Sequence, residues 1–258
     1  QGINQMLSSV LLLLAPAVGG AMLGSVGLVW TFMLDVVTAA AAIVIISFIR
    51  VEKIARTDAF DSVFADLKQG IAYSFRHPVL KGIIVCYAFS FFLITPAAVL
   101  TPLMVERSFG SEVWRLTANE MVWTFGTLLG GLFVSLRGGF QDKVRTIAVC
   151  FVAYGVTFGL MGLVGDFLVY LIIMGISGFF MPISATTQTV FIQEITEPAM
   201  LGRVFSIVQI IAASAMPVAI LLFGPLADII SVETILVVSG VLLALVGVLY
   251  QQSQKHNN

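Results

Sequence analysis

Charged residues are scarce in this chain, and the shortage excludes most classes of soluble protein. They make up 10% of the 258 residues, against 59% for hydrophobic residues, whereas a soluble domain carries about a quarter charged residues. No basic run with interleaved aromatic residues is present, so we expect no nucleic-acid partner. The motifs of P-loop ATPases, zinc peptidases and serine hydrolases are also missing, so we expect neither an enzyme nor an ATP-driven pump.

Cysteine and histidine are rare as well. Cys86 and Cys150 each stand alone in an apolar stretch, which favours packing as small apolar side chains. His77 and His256 have no set of further candidate ligands beside them in the sequence. We therefore expect no metal site and no cofactor.

Long apolar runs fill the rest of the chain. Crossing the hydrocarbon core of a bilayer takes about 20 apolar residues as a helix. Eight stretches are of about that length: Met6–Leu23, Leu28–Ile49, Leu80–Val105, Leu116–Leu136, Thr146–Val164, Phe167–Val190, Val204–Phe223 and Val232–Tyr250. The predicted fold class is an all-α membrane protein with eight transmembrane helices. Buried helices of a soluble core would need several amphipathic helices to cover them, and a single such stretch is present.

The basic residues predict the orientation. Of the 13 Lys and Arg, eleven lie in or beside the connections that follow the second, fourth and sixth spans and in the C-terminal tail. Arg107 and Arg115 lie on the other side. Because short cytoplasmic loops are rich in Lys and Arg, both ends of the chain are predicted to be cytoplasmic.

The longest polar segment lies between the second and third spans. It carries five apolar residues on one helical face, namely Val63, Phe64, Leu67, Ile71 and Phe75. That pattern predicts an amphipathic helix at the membrane surface, and a solvated linker is the alternative. The predicted organisation is two helices in 1–49, a linker in 50–79, a six-helix bundle in 80–251 and a tail in 252–258.

A weak internal repeat relates the start of the chain to its end. Proline follows an apolar run at Pro16 and at Pro217, and a short break and a further span come after each. If the first two spans match the last two, the second half is a complete six-helix bundle and the first half lacks four helices. The chain begins with Gln1 rather than Met, and we expect it to be a fragment that is inactive in transport by itself.

Particular residues resemble the major facilitator superfamily. Residues 15–20, with Pro16, Gly19 and Gly20, resemble the end of the antiporter motif in the fifth helix, although Ala15 replaces its first glycine. Residues 138–145 resemble the loop motif between helices eight and nine, with matches at Gly138, Asp142, Lys143 and Arg145. Residues 32–35 and 198–206 resemble the starts of helices six and eleven in exporters of macrolides, tetracyclines and enterobactin.

This resemblance implies helices five to twelve of a twelve-helix fold in the drug:proton antiporter branch. It implies a monomer, multi-pass in the inner (plasma) membrane, whose partners are the lipid bilayer, a small lipophilic substrate and protons. The implied mechanism is proton-coupled efflux by two helix bundles that rock about a central site. A siderophore exporter and a non-transporting membrane scaffold stay open as alternatives.

Two carboxylates lie inside predicted spans, Asp35 and Glu120. A carboxylate in lipid is costly and usually faces a cavity or a partner, so both are candidates for proton coupling, Glu120 first. The alternative places each in the hydrated headgroup zone. Four polar or aromatic residues are candidates for lining a substrate cavity, with helix–helix hydrogen bonding as the alternative for the last two: Asn119, Trp123, Thr187 and Gln188.

The motif loop is predicted to act as a gate, and plain positive-inside topology is the alternative. Its residues Gly138, Asp142, Lys143 and Arg145 are expected to close against the start of the first span, near Gly2, Asn4 and Gln5. Separately, the glycine pairs Gly126/Gly130 and Gly155/Gly159 have the spacing that predicts close helix packing.

Overall fold

The computed structural model describes residues 2–48 and 59–256. Side chains are described for residues 67–254 and for most of residues 18–48. All regular structure in these ranges is helical. The chain divides into two compact units, residues 1–63 and 64–258, and each is described by itself.

The helices follow the predicted spans. They are α1 (Gly2–Ser47), α2 (Ala59–Arg76), α3 (Pro78–Met104), α4 (Val113–Arg137), α5 (Lys143–Met161), α6 (Phe167–Ile195), α7 (Leu201–Ile229) and α8 (Val232–His256), with one π-helical segment, Val105–Phe109, after α3. Gly27 interrupts α1 with a φ of 81° and a ψ of 172°, so α1 consists of two helical segments. A positive φ is a conformation that glycine adopts readily. The break lies between the first two predicted spans, as expected.

The surface of the second unit is that of a membrane protein. Five helical segments are long and apolar enough to cross a bilayer: Pro78–Phe109, Lys143–Met161, Phe167–Ile195, Leu201–Ile229 and Val232–Gln254. Large apolar side chains lie on the outside, such as Leu136 at 80% exposure and Ile229 at 83%. Soluble monomers rarely expose extended apolar patches. The described residues therefore form an all-α membrane bundle.

Two segments are not among these five. In the second part of α1, the residues with described side chains include a shorter apolar helical stretch, Val29–Ile45. Helix α4 has 25 residues, which is about 37 Å and long enough, but it is not among the five most apolar segments. Its polar residues, described below, account for the difference.

Helices α3 to α8 form one bundle. The main neighbours are α4 with α6, α5 with α8 and α6, and α3 with α7 and α8. Fully buried side chains at the centre include Ile83, Met104, Phe158, Tyr170 and Leu243. Helices α4 and α7 thus lie at the two ends of a chain of contacts.

Glycines set the closest helix contacts. A Cβ on Gly126 would collide with the carbonyl oxygen of Gly175, and one on Gly130 with that of Phe179. A Cβ on Gly155 would collide with the carbonyl oxygen of Gly240. Small residues let backbones approach in this way, so the predicted close packing is confirmed at these three positions. Gly159 has nothing within 4 Å of its own Cβ position.

Helix α2 lies in the polar segment between the second and third predicted spans, and its contact with the bundle is not made by the predicted apolar face. Gly70 and Ser74 are buried, and a Cβ on Gly70 would lie 3.1 Å from Cβ of Arg203. The amide of Glu197 donates to the Tyr73 hydroxyl at 3.3 Å. Ile71 and Phe75 are 42% and 49% exposed. Small residues therefore hold α2 to the start of α7, and Ile71 and Phe75 on its apolar face remain partly exposed. The side chains of Val63 and Phe64 lie outside the described residues.

Candidate substrate and proton site

A buried chain of hydrogen bonds joins α4 and α6 near the α3–α4 connection. The Tyr170 hydroxyl on α6 donates to Oδ1 of Asn119 on α4 at 2.8 Å. The Asn119 amide donates to Oε1 of Glu120 at 3.2 Å. Thr101 on α3 lies beside the Tyr170 hydroxyl. Because Thr101, Asn119 and Tyr170 are each at most 2% exposed, loss of one partner would leave a buried polar group unpaired.

Glu120 lies at the edge of a small pocket. The pocket has a volume of about 150 Å³ and is lined mainly by apolar and aromatic side chains from four helices, among them Ala98, Trp123, Phe158 and Met174. Thr101 and Glu120 are its polar members. Glu120 is exposed on the surface of the bundle, about 10 Å along α4 from its start. A carboxylate is thus placed beside an apolar pocket and bonded to a buried network.

An aromatic cluster covers the network on its outer side. Phe109 packs 5.2 Å from the ring of Tyr170 and 5.3 Å from that of Phe167. Trp114 meets Phe167 edge-on at 5.5 Å, and the Arg115 guanidinium lies 4.9 Å from the Trp114 ring centroid. These rings exclude water from Tyr170 and fix the position of its hydroxyl.

The four cavity candidates do not lie together. Asn119 and Trp123 belong to the network and the pocket just described. Thr187 and Gln188 are buried on α6, where Thr187 donates to the carbonyl of Ile183 at 2.6 Å and Gln188 donates to Ser184 at 2.6 Å. Gly178 is the α6 residue opposite Trp123, and Thr187 lies nine residues further on, about 13 Å along the helix. The polar candidates therefore form two groups at two depths.

Thr187 instead lines a larger pocket near the α4–α5 loop. That pocket has a volume of about 650 Å³ and is bounded by the loop residues and by the last turns of α6, including Thr186, Val190 and Glu194. Gln188 is not among its lining residues. The polar turn of α6 thus opens toward the motif loop rather than toward Glu120.

The motif loop has defined local roles for three of its four residues. Gly138 ends α4 with a φ of 73°, a conformation that favours glycine. Asp142 caps α5 by accepting from the amide of Arg145 at 2.9 Å. Lys143 forms an ion pair with Glu194 of α6 at 2.9 Å. Arg145 is exposed. The side chains of Asn4 and Gln5 and the surroundings of Gly2, where a closing partner was predicted, lie outside the described residues.

The remaining candidates belong to the first unit. Asp35 is exposed, and its backbone carbonyl accepts from the Thr38 hydroxyl at 2.9 Å. Helix α1 continues through Pro16, and a Cβ on Gly19 would meet nothing within 4 Å. The surroundings of Pro16 and Gly20 lie outside the described residues.

Comparison with known proteins assigns the family. The sequence profile of the transmembrane secretion effectors, a group within the major facilitator superfamily, matches residues 4–257. The chain belongs to the transmembrane secretion effector family. The predicted resemblance to this superfamily is therefore confirmed.

Relatives of this transmembrane secretion effector are named as efflux proteins. Macrolide efflux protein A of Streptococcus pyogenes is 26% identical over 251 residues, which cover 96% of this chain and 62% of the relative. Macrolide efflux protein A of Enterococcus faecalis is 26% identical over 223 residues, or 85% of this chain and 69% of the relative. Multidrug efflux pump Tap of Mycolicibacterium fortuitum is 24% identical over 224 residues, or 84% and 53%. The chain thus spans less than two thirds of the Streptococcus pyogenes relative's length.

Two members of the network were missed in the sequence. Tyr170 lies 51 residues from Asn119, and no local pattern connects the two. Thr101 reads as one more small polar residue in an apolar span. The available signal was weak: Asn119 is an amide inside a predicted span, and a buried amide needs partners on neighbouring helices.

Proposed function

We propose that this transmembrane secretion effector is the larger part of a secondary transporter that exports small lipophilic compounds in exchange for protons. The observation that carries the proposal is Glu120, which borders an apolar pocket and ends a buried hydrogen-bond chain reaching α6. The names of the relatives, macrolide efflux protein and multidrug efflux pump, support export as the activity.

Glu120 would carry the proton through its bond with Asn119. When Glu120 is ionised, its carboxylate accepts a hydrogen bond from the Asn119 side-chain amide, while Oδ1 of Asn119 accepts one from the Tyr170 hydroxyl. A bond to a charged acceptor is roughly twice as strong as a neutral one, so protonation of Glu120 weakens this contact. Asn119, Trp123 and the pocket wall would then shift relative to α6. Substrate binding and proton release are thereby coupled at one place.

The pocket suits part of a lipophilic substrate. Its walls are apolar and aromatic, with Thr101 and Glu120 as polar members. Sites for drug-sized ligands have volumes of roughly 300–1,000 Å³, and this pocket has about 150 Å³. We therefore infer that residues upstream of this chain complete the cavity, and that residues 1–258 alone do not catalyse coupled export.

The motif loop would form the gate at the cytoplasmic side. Lys143 is paired within the bundle to Glu194, and one oxygen of Asp142 caps α5. Arg145 and the second oxygen of Asp142 would therefore contact the other half of the transporter. The turn at Gly138 would position them. Asp35 in the first unit remains a second candidate for proton coupling.

Replacement of the Glu120 carboxyl group by the uncharged amide of glutamine tests the proposal. In everted plasma-membrane vesicles of the full-length parent, Glu120→Gln should abolish proton-driven export of a macrolide while leaving macrolide binding measurable. Glu106→Gln makes the same charge change at an exposed position and is the control that should retain coupling, while Asp35→Asn tests the second candidate. If Glu120→Gln keeps normal export with normal pH dependence, Glu120 is not the carrier. Robust coupled export by residues 1–258 in vesicles would contradict the incomplete-cavity argument.

We propose that the protein is a monomer in the inner membrane and that both given ends lie in the cytoplasm. The distribution of Lys and Arg supports this orientation. In a background with Cys86 and Cys150 replaced by serine, a cysteine at Ser111 should react with a membrane-impermeant reagent added outside intact cells. A cysteine at Gln141 should react only after the cells are opened. Both positions are exposed, and the reverse pattern would overturn the orientation.

A further inference from the structure

A groove between α3 and α8 has the length of one bilayer leaflet. Its volume is about 610 Å³, and it runs along α3 from Pro78 to Phe89 and along α8 from Val246 to Ser253. The α3 side is about 16 Å long, and one leaflet of a core about 30 Å thick measures about 15 Å. Its wall residues include Val85, Phe89 and Leu249, which are 37%, 58% and 61% exposed. The groove could hold an extended apolar chain.

The end of this groove at the start of α3 is positively charged. Lys81 lines the groove and is exposed, and no ion pair to it is found among the described residues. The α3 N-cap, His77, makes no side-chain capping bond, and the first turn has no acidic residue. Free amides and the helix dipole at such a terminus favour an anion. Arg76 ends α2 just before it.

Two buried donors beside the groove have no partner among the described residues. Tyr250 lines the groove and is 5% exposed, and its hydroxyl is buried. The Gln254 side-chain amide, one helical turn further along α8, belongs to a residue that is 2% exposed. It lies against Gly82, another groove residue, where a Cβ would collide with it. Buried polar groups nearly always have a partner, so these donors indicate a ligand with acceptor oxygens.

We propose that this groove binds one membrane lipid with an anionic headgroup. One acyl chain lies along Val85 and Phe89, and the phosphate lies beside Lys81 and the first turn of α3. Tyr250 donates to a phosphate or ester oxygen. A free anion would leave the apolar wall uncovered, and an uncharged lipophilic compound would leave Lys81 and Tyr250 unpaired. An anionic lipid satisfies all three features.

Lipid titration of the delipidated chain in detergent tests this proposal, with native mass spectrometry to count bound lipids. Phosphatidylglycerol should bind about fivefold more tightly than phosphatidylcholine with the same acyl chains, since a basic residue at the membrane surface contributes about that factor. Lys81→Gln should remove the preference. Lys68→Gln makes the same charge change at an exposed position on α2 and should retain it.

Two further variants separate the headgroup from the chain. Tyr250→Phe should weaken phosphatidylglycerol binding several-fold without changing the melting temperature of the lipid-free protein, so it remains informative if Lys81→Gln does not fold. Val85→Trp should fill the groove and displace the lipid. Equal binding of both lipids with no effect of Lys81→Gln would overturn the proposal. If glycerol phosphate, which has no acyl chain, binds as tightly as phosphatidylglycerol, the site binds a free anion instead.

Discussion

The two ends of the six-helix bundle are held together by different kinds of contact. At the α3–α4 end, bonds run between helices: Tyr170 to Asn119, Arg107 to the carbonyl of Ala227 at 3.0 Å, and Ser108 to Glu233. At the α4–α5 end, Asp142 and Thr187 bond within their own segments, and the ion pair of Lys143 with Glu194 connects α5 to α6. One end is thus joined by hydrogen bonds across helices, and the other combines local hydrogen bonds with this ion pair.

The difference bears on which end can move. Helices whose polar groups are satisfied locally can shift against their neighbours without losing buried hydrogen bonds, whereas a network between helices must break. The α4–α5 end also contains the larger pockets, of about 650 and 540 Å³. We therefore expect the α3–α4 end to be the rigid part of the bundle and the α4–α5 end to be the part that rearranges.

The largest expected effect concerns the contact between α4 and α6 that connects both ends. Gly130→Ala places a Cβ against the carbonyl of Phe179, so the helices must separate, and we expect a loss of about 2 kcal/mol or more of stability. Gly131→Ala is the adjacent control, because nothing lies within 4 Å of its Cβ position. It should be neutral or stabilising by about 0.5–1 kcal/mol. Thermal unfolding in detergent measures both, and equal effects would refute the close contact.

A second prediction tests the network at the α3–α4 end. Tyr170→Phe leaves the buried Asn119 side chain without the hydrogen bond from the Tyr170 hydroxyl, which should cost about 1–3 kcal/mol. Tyr250→Phe is the matched control, since its hydroxyl is buried but has no partner among the described residues, and it should be nearly neutral in lipid-free detergent. If both substitutions cost the same, the interhelical bond contributes nothing measurable and the contrast between the ends disappears.

A third prediction separates charge from capping at the α4–α5 end. Asp142→Ala removes the cap of α5 and should cost about 1 kcal/mol, whereas Asp142→Asn retains a capping oxygen and should cost almost nothing. In the full-length parent, a gate that depends on charge would lose export in both variants. If export is instead normal in Asp142→Asn and reduced in Asp142→Ala, it follows the stability of the variants, and Asp142 has a capping role alone.

Much of this fold could be predicted because membrane helices are encoded locally. A span needs a run of apolar residues in one place, so six of the eight predicted segments fall within helices of the structure. The other two, Thr146–Val164 and Leu28–Ile49, run past the ends of α5 and of α1. The protein-facing side of α2 could not be predicted in this way. Its contacts are made by Gly70 and Ser74 rather than by the apolar stripe, because α7 approaches closely enough to require small residues.

The candidate site was predicted only in part, for a similar reason. Glu120 and Asn119 were recognisable as polar residues within an apolar span. Tyr170 was not, because its role depends on a partner 51 residues away and on packing between α4 and α6. Thr187 and Gln188 were grouped with them from composition alone. Their hydroxyl and amide groups bond one turn back on α6, at a different depth in the bundle.

The smallest expected effect concerns an exposed contact at the α3–α4 end that is local rather than interhelical. A hydrogen bond from its own backbone amide, and then the Arg115 side chain at 2.7 Å, hold the pKa of Glu112 below its usual range. Since the pKa is lower in the folded state, Glu112 contributes stability above its unfolded pKa of about 4.3, and this contribution is lost as the pH falls through the folded pKa. The Glu112 side chain is 55% exposed, so the effect should be slight.

Removal of this carboxylate should therefore flatten the acid side of the stability profile. Glu112→Gln should reduce the fall in melting temperature between pH 6 and pH 3. High salt should reduce this fall in part in the unmodified chain, because salt screens the charge of Arg115 but not the backbone hydrogen bond. Glu106→Gln makes the same change of charge a few residues earlier and serves as the control. A larger flattening in Glu106→Gln would mean that the overall charge of this end, rather than the Glu112–Arg115 contact, sets its response to acid. The rigidity of the α3–α4 end would then rest on its interhelical bonds alone.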